Sequence, residues 1–239
     1  MLPAETERVW AFLKGQSALE GFVLIGGTAL ALQINHRRSE DLDLAFKGVR
    51  LPRPRLDALR AIASDAGFTF TPNDNEAAIR EFADSTLELH DYQQDFLVNK
   101  RVKLSFFVPD QPFRTVLDDR PSRAVRVASL SELFKTKCLV SAMRSRTRDW
   151  LDLFLLLRDH GFTIQNFAET FKQAGIESQL NIALARLCTG RPQVNDEGYL
   201  HLLTNPPSLQ EMQKFFMAER DRLEIATDAE AARRKPQRE

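Results

Sequence analysis

Two aspartates separated by one residue, Asp41 and Asp43, are the side chains of this sequence best suited to bind a metal ion. They lie in the string Asp41-Leu42-Asp43-Leu44, which alternates charged and apolar residues. Successive side chains of a strand point to opposite faces, so both carboxylates would share one face and both leucines the other. Such a pair can hold Mg²⁺, which usually keeps water and substrate phosphates as its other ligands. Taken alone, the pattern also fits a solvated strand edge.

A glycine pair upstream of the aspartates could bind phosphate. Phe22-Val23-Leu24-Ile25 is a short apolar run that predicts a buried strand, and Gly26-Gly27 ends it. Thr28 stands where a helix cap belongs, and good helix formers follow it. Such a turn aims backbone N–H groups and the positive end of a helix at one point. A simple tight turn is the alternative, but glycines and aspartates together favour metal-assisted phosphoryl or nucleotidyl transfer.

The string from Phe22 to Phe46 resembles the nucleotidyltransferases of the polymerase β superfamily. Residues 26–32 (GGTALAL), 36–39 (HRRS) and 41–44 (DLDL) are similar to the AbiEii toxin family, the toxin half of abortive-infection toxin–antitoxin pairs. The resemblance implies an α+β fold, in which a polymerase β-like domain with a small mixed sheet precedes a mostly helical C-terminal half. It also implies an active site in the cleft between the two halves.

The resemblance implies roles for individual residues. Asp41 and Asp43 would hold Mg²⁺ in the active site. The nucleotide-binding residues would be Gly26, Gly27, Thr28, Arg37, Ser39 and Arg144. Arg37 could also be a surface residue. In the polymerase β fold a third carboxylate usually faces the first two, but its position here is Ser105, which leaves open a protein that binds nucleotide without turning it over.

A second signature lies in the predicted helical half. Its matching positions are Lys137, Arg144, Arg148, Asp149, Trp150 and Asp152. By resemblance Lys137 would neutralise phosphate charge, and Asp152 would be catalytic. Asp152 lies in a helix that is apolar nearly all round, and a buried carboxylate is costly unless it is paired, so Lys137 or Arg144 is its expected partner. A purely structural ion pair remains the alternative. Lys135 is two residues from Lys137 and should face solvent.

The implied reaction moves a nucleotide from an NTP to a cellular acceptor, with tRNA as a candidate and a cognate antitoxin as a partner. Five cations and no acid occur between Lys135 and Arg148, which fits either a solvated face or an RNA contact. Two rival functions remain. One is an enzyme of this fold that modifies a protein or a small molecule such as an antibiotic, and the other is a non-catalytic nucleotide-binding partner.

Composition is ordinary for a globular protein. Of the 239 residues 43% are hydrophobic, and 33 basic residues balance 33 acidic ones, so no global field attracts nucleic acid. The two cysteines, Cys138 and Cys188, lie in helix-like apolar surroundings and fit a reducing compartment. No apolar run approaches the roughly 20 residues that span a bilayer. We therefore expect a soluble cytoplasmic protein without a membrane partner.

Periodicity and turn residues divide the chain into elements. We predict an α/β nucleotidyltransferase domain over 1–120, a helical domain over 121–226 that completes the cleft, and a disordered tail over 227–239. Strands are expected at 68–71, 86–89, 96–98 and 102–108, besides the two around the site. Helices are expected at 3–19, 56–67, 77–82, 131–143, 148–158, 164–174, 178–188 and 208–222, and a loop at 109–123.

Overall fold

A six-stranded mixed sheet organises the first part of the chain. The computed structural model describes residues 2 to 234, apart from the side chains of residues 83, 230 and 234. The strands are β1 (Phe22–Ile25), β2 (Leu42–Phe46), β3 (Phe70–Pro72), β4 (Gln93–Val98), β5 (Val102–Phe107) and β6 (Arg126–Val127). Their order is β3-β4-β5-β2-β1-β6, with β1 parallel to β6, β2 parallel to β5 and the other neighbours antiparallel.

The two faces of the sheet differ in chemistry. One face carries a row of aromatic rings whose neighbouring centroids lie 4.8 to 6.2 Å apart. In spatial order these residues are Phe46, Phe22, Phe106, Phe96 and Phe70. Because side chains alternate along each strand, Asp43 and Ser105, which pair in register, lie on the opposite face. The apolar face supplies the core, and the other face carries the predicted site.

Five helices accompany the sheet in this unit. They are α1 (Ala4–Leu13), α2 (Gly26–Ile34), α3 (Arg53–Asp65), α4 (Glu76–Asp84) and α5 (Gln111–Val116). The prediction of a strand at 86–89 is wrong, since residues 86–88 are irregular and a 3₁₀ turn, Leu89–Asp91, follows them. The loop expected at 109–123 contains α5, because Pro112 occupies a first-turn position, where a missing N–H costs nothing.

The second unit is helical. Its helices are α6 (Leu130–Met143), α7 (Thr147–Asp159), α8 (Ile164–Gln173), α9 (Leu180–Cys188) and α10 (Leu209–Arg234). Thr163 begins α8 with a reciprocal capping box to Asn166. Helix α10 continues through 227–234, where the sequence predicts a disordered tail, because the run Asp228-Ala-Glu-Ala-Ala-Arg-Arg consists mostly of good helix formers. Residues 235–239 of that predicted tail lie outside the described residues.

The chain divides into two compact units, Met1–Leu133 and Phe134–Glu239, with the division inside α6. The sequence places the boundary at 120 instead. The difference arises because β6 pairs with β1, which keeps the residues after 120 with the sheet. Glu132 holds the same segment: it accepts hydrogen bonds from the Arg126 guanidinium (2.6 and 2.9 Å) and from the Ser129 backbone N–H (2.8 Å). A mixed sheet with a mostly helical remainder confirms the predicted α+β class.

Candidate functional site

The glycine turn joins β1 directly to α2. Ile25 is the extended N-cap residue of α2, and Gly26 begins the helix with a φ of +76°. Thr28 is therefore the third residue of the helix, and its predicted place as the cap is wrong. The first N–H groups of a helix have no intrahelical acceptor, and the helix dipole is positive at this end. Gly26, Gly27 and Thr28 contribute these N–H groups, an arrangement suited to a phosphate.

Gly26 lies against one of the two aspartates. Ile25 pairs in register with Asp43 across β1 and β2, so the turn and the carboxylate meet at the end of β1. An ideal Cβ built on Gly26 would lie 2.6 Å from Asp43 Oδ2, a separation that real Cβ atoms do not show. The positive φ also disfavours any L side chain. Both constraints require glycine where the backbone approaches the Asp43 carboxylate.

Gly27 makes room for a different side chain. An ideal Cβ at Gly27 would lie 2.5 Å from Nη2 of Arg37 and 2.9 Å from Oγ of Ser39. Arg37 is only 6% exposed, so the alternative that it is a surface residue is wrong. Its Nη1 donates a hydrogen bond to the Arg38 carbonyl oxygen at 3.0 Å. The guanidinium is thus packed against the first turn of α2 and adds positive charge there.

Thr28 fixes the loop that leads to the aspartates. It is completely buried, and its hydroxyl donates a hydrogen bond to the carbonyl oxygen of Asp41. The same hydroxyl hydrogen-bonds Ser39 Oγ at 3.0 Å, and Ser39 is 9% exposed. The Thr28 side chain therefore positions the backbone of Asp41, whereas its backbone N–H belongs to the phosphate-binding turn.

The two aspartates flank the start of β2 as the alternation predicts. Strand β2 begins at Leu42, and both Leu42 and Leu44 are completely buried, whereas Asp41 and Asp43 are half-buried. Among the residues that the structure describes, no group of three or more His, Cys, Asp or Glu side chains could hold a metal ion. A carboxylate pair beside a phosphate-binding turn still fits Mg²⁺, which is commonly held by one or two carboxylates together with substrate phosphates.

Ser105 occupies the position expected for a third carboxylate. It pairs in register with Asp43 between the parallel strands β2 and β5, so both side chains lie on the same face of the sheet. A hydroxyl therefore stands beside the carboxylate pair where the fold usually supplies an acid.

The second signature forms a buried ion-pair cluster within the second unit. Lys137 is 6% exposed, and its Nζ lies 2.7 Å from Asp149 Oδ1 and 2.7 Å from Asp152 Oδ2. Arg144 Nε lies 2.8 Å from Asp149 Oδ2. Of the two partners expected for Asp152, Lys137 makes this contact. Burial alone would raise the pKa of Asp149, but the charges of Lys137 and Arg144 outweigh it and hold that pKa below its ordinary value.

The first two turns of α7 present these carboxylates. Asp149 and Asp152 are three residues apart on α7 and therefore lie on one side of it. Asp196 holds the start of the helix: its carboxylate accepts hydrogen bonds from the Thr147 backbone N–H (3.0 Å) and the Thr147 hydroxyl (2.6 Å). Asp149 is a matching position of the second signature to which no role was assigned, and its three-residue spacing from Asp152 was the signal for one. Asp196 lies outside that signature.

The predicted basic stretch is largely paired with acids. Three of its five cations form ion pairs: Lys137 and Arg144 as described, and Arg148 with Glu197 at 2.9 Å. Lys135 is half-buried, whereas a solvent position was expected for it. The stretch therefore carries less unbalanced charge than its sequence indicates.

The predicted site residues fall into two groups. Gly26, Gly27, Thr28, Arg37, Ser39, Asp41 and Asp43 surround the start of α2 in the first unit. Lys137, Arg144 and Asp152, joined by Asp149, form the ion-pair cluster of the second unit.

None of the helices in the described part of the chain is both long and apolar enough to cross a membrane.

Comparison with known proteins identifies the family. No curated protein matches the chain. Among solved structures, JHP933 from Helicobacter pylori is similar with a TM-score of 0.51 and 17% identity, over 98% of this chain and 100% of that one. A candidate nucleotidyltransferase from H. pylori gives 0.49 and 18%, over 93% and 96%. The Megavirus polyadenylate synthase gives 0.41 and 12%, over 70% of this chain and 36% of that one.

The family model for the nucleotidyl transferase AbiEii toxin of type IV toxin–antitoxin systems matches residues 11–237, nearly the whole chain. The match spans both the glycine turn with its aspartates and the ion-pair cluster. The chain therefore belongs to the AbiEii family of nucleotidyltransferase toxins.

Proposed function

We propose that this nucleotidyltransferase moves a nucleotide from an NTP to a cellular acceptor in a Mg²⁺-dependent reaction, with tRNA as the first candidate acceptor. The observation that carries the proposal is the contact between the first turn of α2 and the Asp43 carboxylate, where Gly26 leaves no room for a Cβ. A phosphate-binding helix N-terminus directly beside a carboxylate pair is suited to an NTP and its metal ion.

Each residue of the first group has a role in this proposal. The N–H groups of Gly26, Gly27 and Thr28 bind phosphate oxygens, and the buried Arg37 guanidinium adds positive charge behind them. Asp41 and Asp43 hold Mg²⁺, which when bound neutralises charge on the phosphates. Ser39 and the Thr28 hydroxyl keep the loop before Asp41 in place. The protein thereby contributes mainly positioning and electrostatic stabilisation.

The ion-pair cluster favours a positioning role for Lys137 and Asp152. The Lys137 ammonium already contacts two carboxylates at 2.7 Å, so neutralising phosphate charge would require it to share or exchange these partners. We propose that Lys137, Arg144, Asp149 and Asp152 hold α6 and α7 in a fixed arrangement on which activity depends.

The remaining parts of the proposal concern acceptor and partner. Family membership supports growth arrest on expression, restraint by a cognate antitoxin and action in the cytoplasm. Modification of a protein or of a small molecule such as an antibiotic is the rival enzymatic function. A nucleotide-binding protein without turnover is the other rival, and Ser105 in place of a carboxylate is the feature that favours it.

The test is to incubate the protein with each of the four NTPs, labelled at the α-phosphate, and Mg²⁺. Separate reactions contain purified tRNA, other RNA, or protein as acceptor. We expect label in tRNA, none in the presence of a chelator, and none with the Asp43→Asn variant. Label confined to protein would support the first rival, and binding of NTP without transfer to any pool would support the second.

Salt dependence gives an independent check of the acceptor. Each phosphate contact releases counterions, so affinity for a polyanion falls steeply as salt rises. We expect tRNA affinity to decrease strongly between 50 and 200 mM salt, by about tenfold or more. Affinity that is indifferent to salt would contradict a nucleic-acid acceptor.

A further inference from the structure

A row of three polar side chains crosses the face of the sheet that carries the site. Asp43 on β2 pairs in register with Ser105 on β5, and Ser105 in turn pairs with Asp95 on β4. Residues paired across neighbouring strands point to the same face, so Asp43, Ser105 and Asp95 lie side by side. The middle member, Ser105, has the smallest side chain of the three.

Strand spacing determines what Asp95 can reach. Neighbouring strands lie about 4.8 Å apart, which places Asp95 about 9.6 Å from Asp43, measured between backbones. Mg²⁺ binds oxygen at about 2.1 Å, so two parallel side chains at this separation cannot share one ion. The lack of any three-residue metal cluster within the described residues agrees with this separation. A substrate group lying over Ser105 could nevertheless contact Asp95.

The hydrogen bonding of Asp95 leaves one carboxylate oxygen for such a contact. Gln93 Nε2 donates to Asp95 Oδ2 at 2.5 Å, and the Asp95 backbone N–H donates to Asp74 Oδ1 at 3.1 Å. Asp95 Oδ1 is buried and has no hydrogen-bond partner. An unpaired buried carboxylate oxygen is costly, so it calls for an explanation, and a catalytic role is one that the position of Asp95 allows.

We propose that Asp95 is a catalytic residue that accepts the proton of the attacking hydroxyl group of the acceptor. The inference rests on the proposed function, since it specifies how the acceptor is activated at the same site. The acceptor oxygen forms a bond to the α-phosphorus, and its hydrogen passes to Asp95 Oδ1. The bond between the α-phosphorus and the oxygen that bridges to the β-phosphate breaks, and pyrophosphate leaves with that electron pair. The carboxylate that Ser105 lacks is thus supplied one strand farther along the sheet.

The test compares Asp95→Asn with the parent protein. Asparagine keeps the shape of the side chain and an oxygen for Gln93, but it cannot accept a proton. Loss of a general base typically costs about 10²- to 10⁴-fold in rate, so we expect kcat to fall by that amount. The Kd for a non-hydrolysable NTP with Mg²⁺ should stay unchanged because Asp95 does not hold the ion. The melting temperature should not fall, since the lost carboxylate oxygen has no partner.

Two further variants make the result specific. Asp65→Asn makes the same chemical change at an exposed position at the end of α3 and should leave every measurement unchanged. The double variant Asp95→Asn with Ser105→Asp returns a carboxylate to the middle of the row and should restore much of the lost rate.

Each outcome has one meaning. Equal kcat for the parent and Asp95→Asn would overturn the role of Asp95 while leaving the proposed function intact. A lower kcat accompanied by weaker NTP binding or a lower melting temperature would mean that Asp95 serves the structure or the nucleotide, and would also overturn the inference. A parent protein that transfers no nucleotide to any acceptor would instead contradict the proposed function itself.

Discussion

Replacement of Lys137 by methionine tests the ion-pair cluster most sharply. Methionine keeps most of the side-chain volume but removes the ammonium that lies 2.7 Å from both Asp149 and Asp152. Both carboxylates are almost completely buried, with side chains 3% and 0% exposed. Removing one partner of a buried ion pair costs about 3–5 kcal/mol, because it leaves an uncompensated charge. At about 2–4 °C per kcal/mol for a chain of this size, the melting temperature should fall by roughly 6–20 °C.

The assay is thermal unfolding followed by circular dichroism at pH 7. Lys135→Met is the matched control, because the same residue is exchanged two positions away on α6 at a half-buried site, and it should change stability by less than about 1 kcal/mol. The double variant Lys137→Met with Asp152→Leu removes both charges and should recover most of the loss. A Lys137→Met protein that melts with the parent, or above it, would refute the positioning role and favour a lysine that binds phosphate.

The pH dependence of the parent's stability follows in part from Asp149. Its pKa is lower in the folded protein than the ordinary value of 3.8, because the Lys137 and Arg144 charges outweigh the effect of burial. A lowered folded pKa contributes stability that is complete above the ordinary value and is lost as the pH falls through the folded value. Asp149→Asn removes this titrating group, so the difference in stability between the parent and Asp149→Asn should narrow only below about pH 4. A difference that already closes between pH 8 and 6 would contradict this assignment.

Three further predictions concern the first unit. Asp43→Asn should abolish transfer and growth arrest in a protein that still folds, and a variant as toxic as the parent would contradict the site. Gly26→Ala should abolish NTP binding and lower the free energy of unfolding by about 1–2 kcal/mol, since its Cβ would lie 2.6 Å from Asp43 Oδ2 at a positive φ. Gly15→Ala is the control, because a Cβ at Gly15 meets nothing within 4 Å. Glu132→Gln should cost about 2 kcal/mol at neutral pH, because Glu132 binds Arg126 and two backbone N–H groups. The pKa of Glu132 is about 2 in the folded protein, lowered from its ordinary value of 4.5. The loss of stability in Glu132→Gln should therefore disappear as the pH falls from about 4.5 towards 2. A loss that persists at pH 2 would contradict this role of the Glu132 carboxylate.

Local patterns were sufficient to predict the strand–turn–helix and the strand that surround the candidate site. Strand β1 follows from the apolar run 22–25, and its end follows from the glycine pair. Strand β2 follows from the alternation of charged and apolar residues from Asp41 to Leu44. Helix α5 is not predicted from the sequence, because its proline also marks a loop, although the first turn of a helix accepts proline. Strand β4 was predicted only in part because its polar face, Gln93 and Asp95, lacks the apolar residues that mark a strand.

Contacts between distant segments could not be predicted from local patterns. Asp95 comes next to Ser105 only through the register of β4 and β5, and a one-residue shift of that register would turn Asp95 to the opposite face. Helix geometry predicted that Lys137 points inward, and Asp152 was one of two partners considered for it. The geometry did not reveal that Asp149 shares the same ammonium. Such multiple contacts depend on how α6 and α7 pack, which sequence spacing does not specify.

The central claim is that the group transferred from the NTP is the nucleotide. The most direct test uses the same NTP labelled either at the α-phosphate or at the γ-phosphate, with Mg²⁺ and purified tRNA as acceptor. Nucleotidyl transfer predicts that α-label enters the acceptor, that γ-label leaves as pyrophosphate, and that Asp43→Asn abolishes both. Entry of the γ-label into the acceptor, or α-label transfer that survives in Asp43→Asn, would contradict the account.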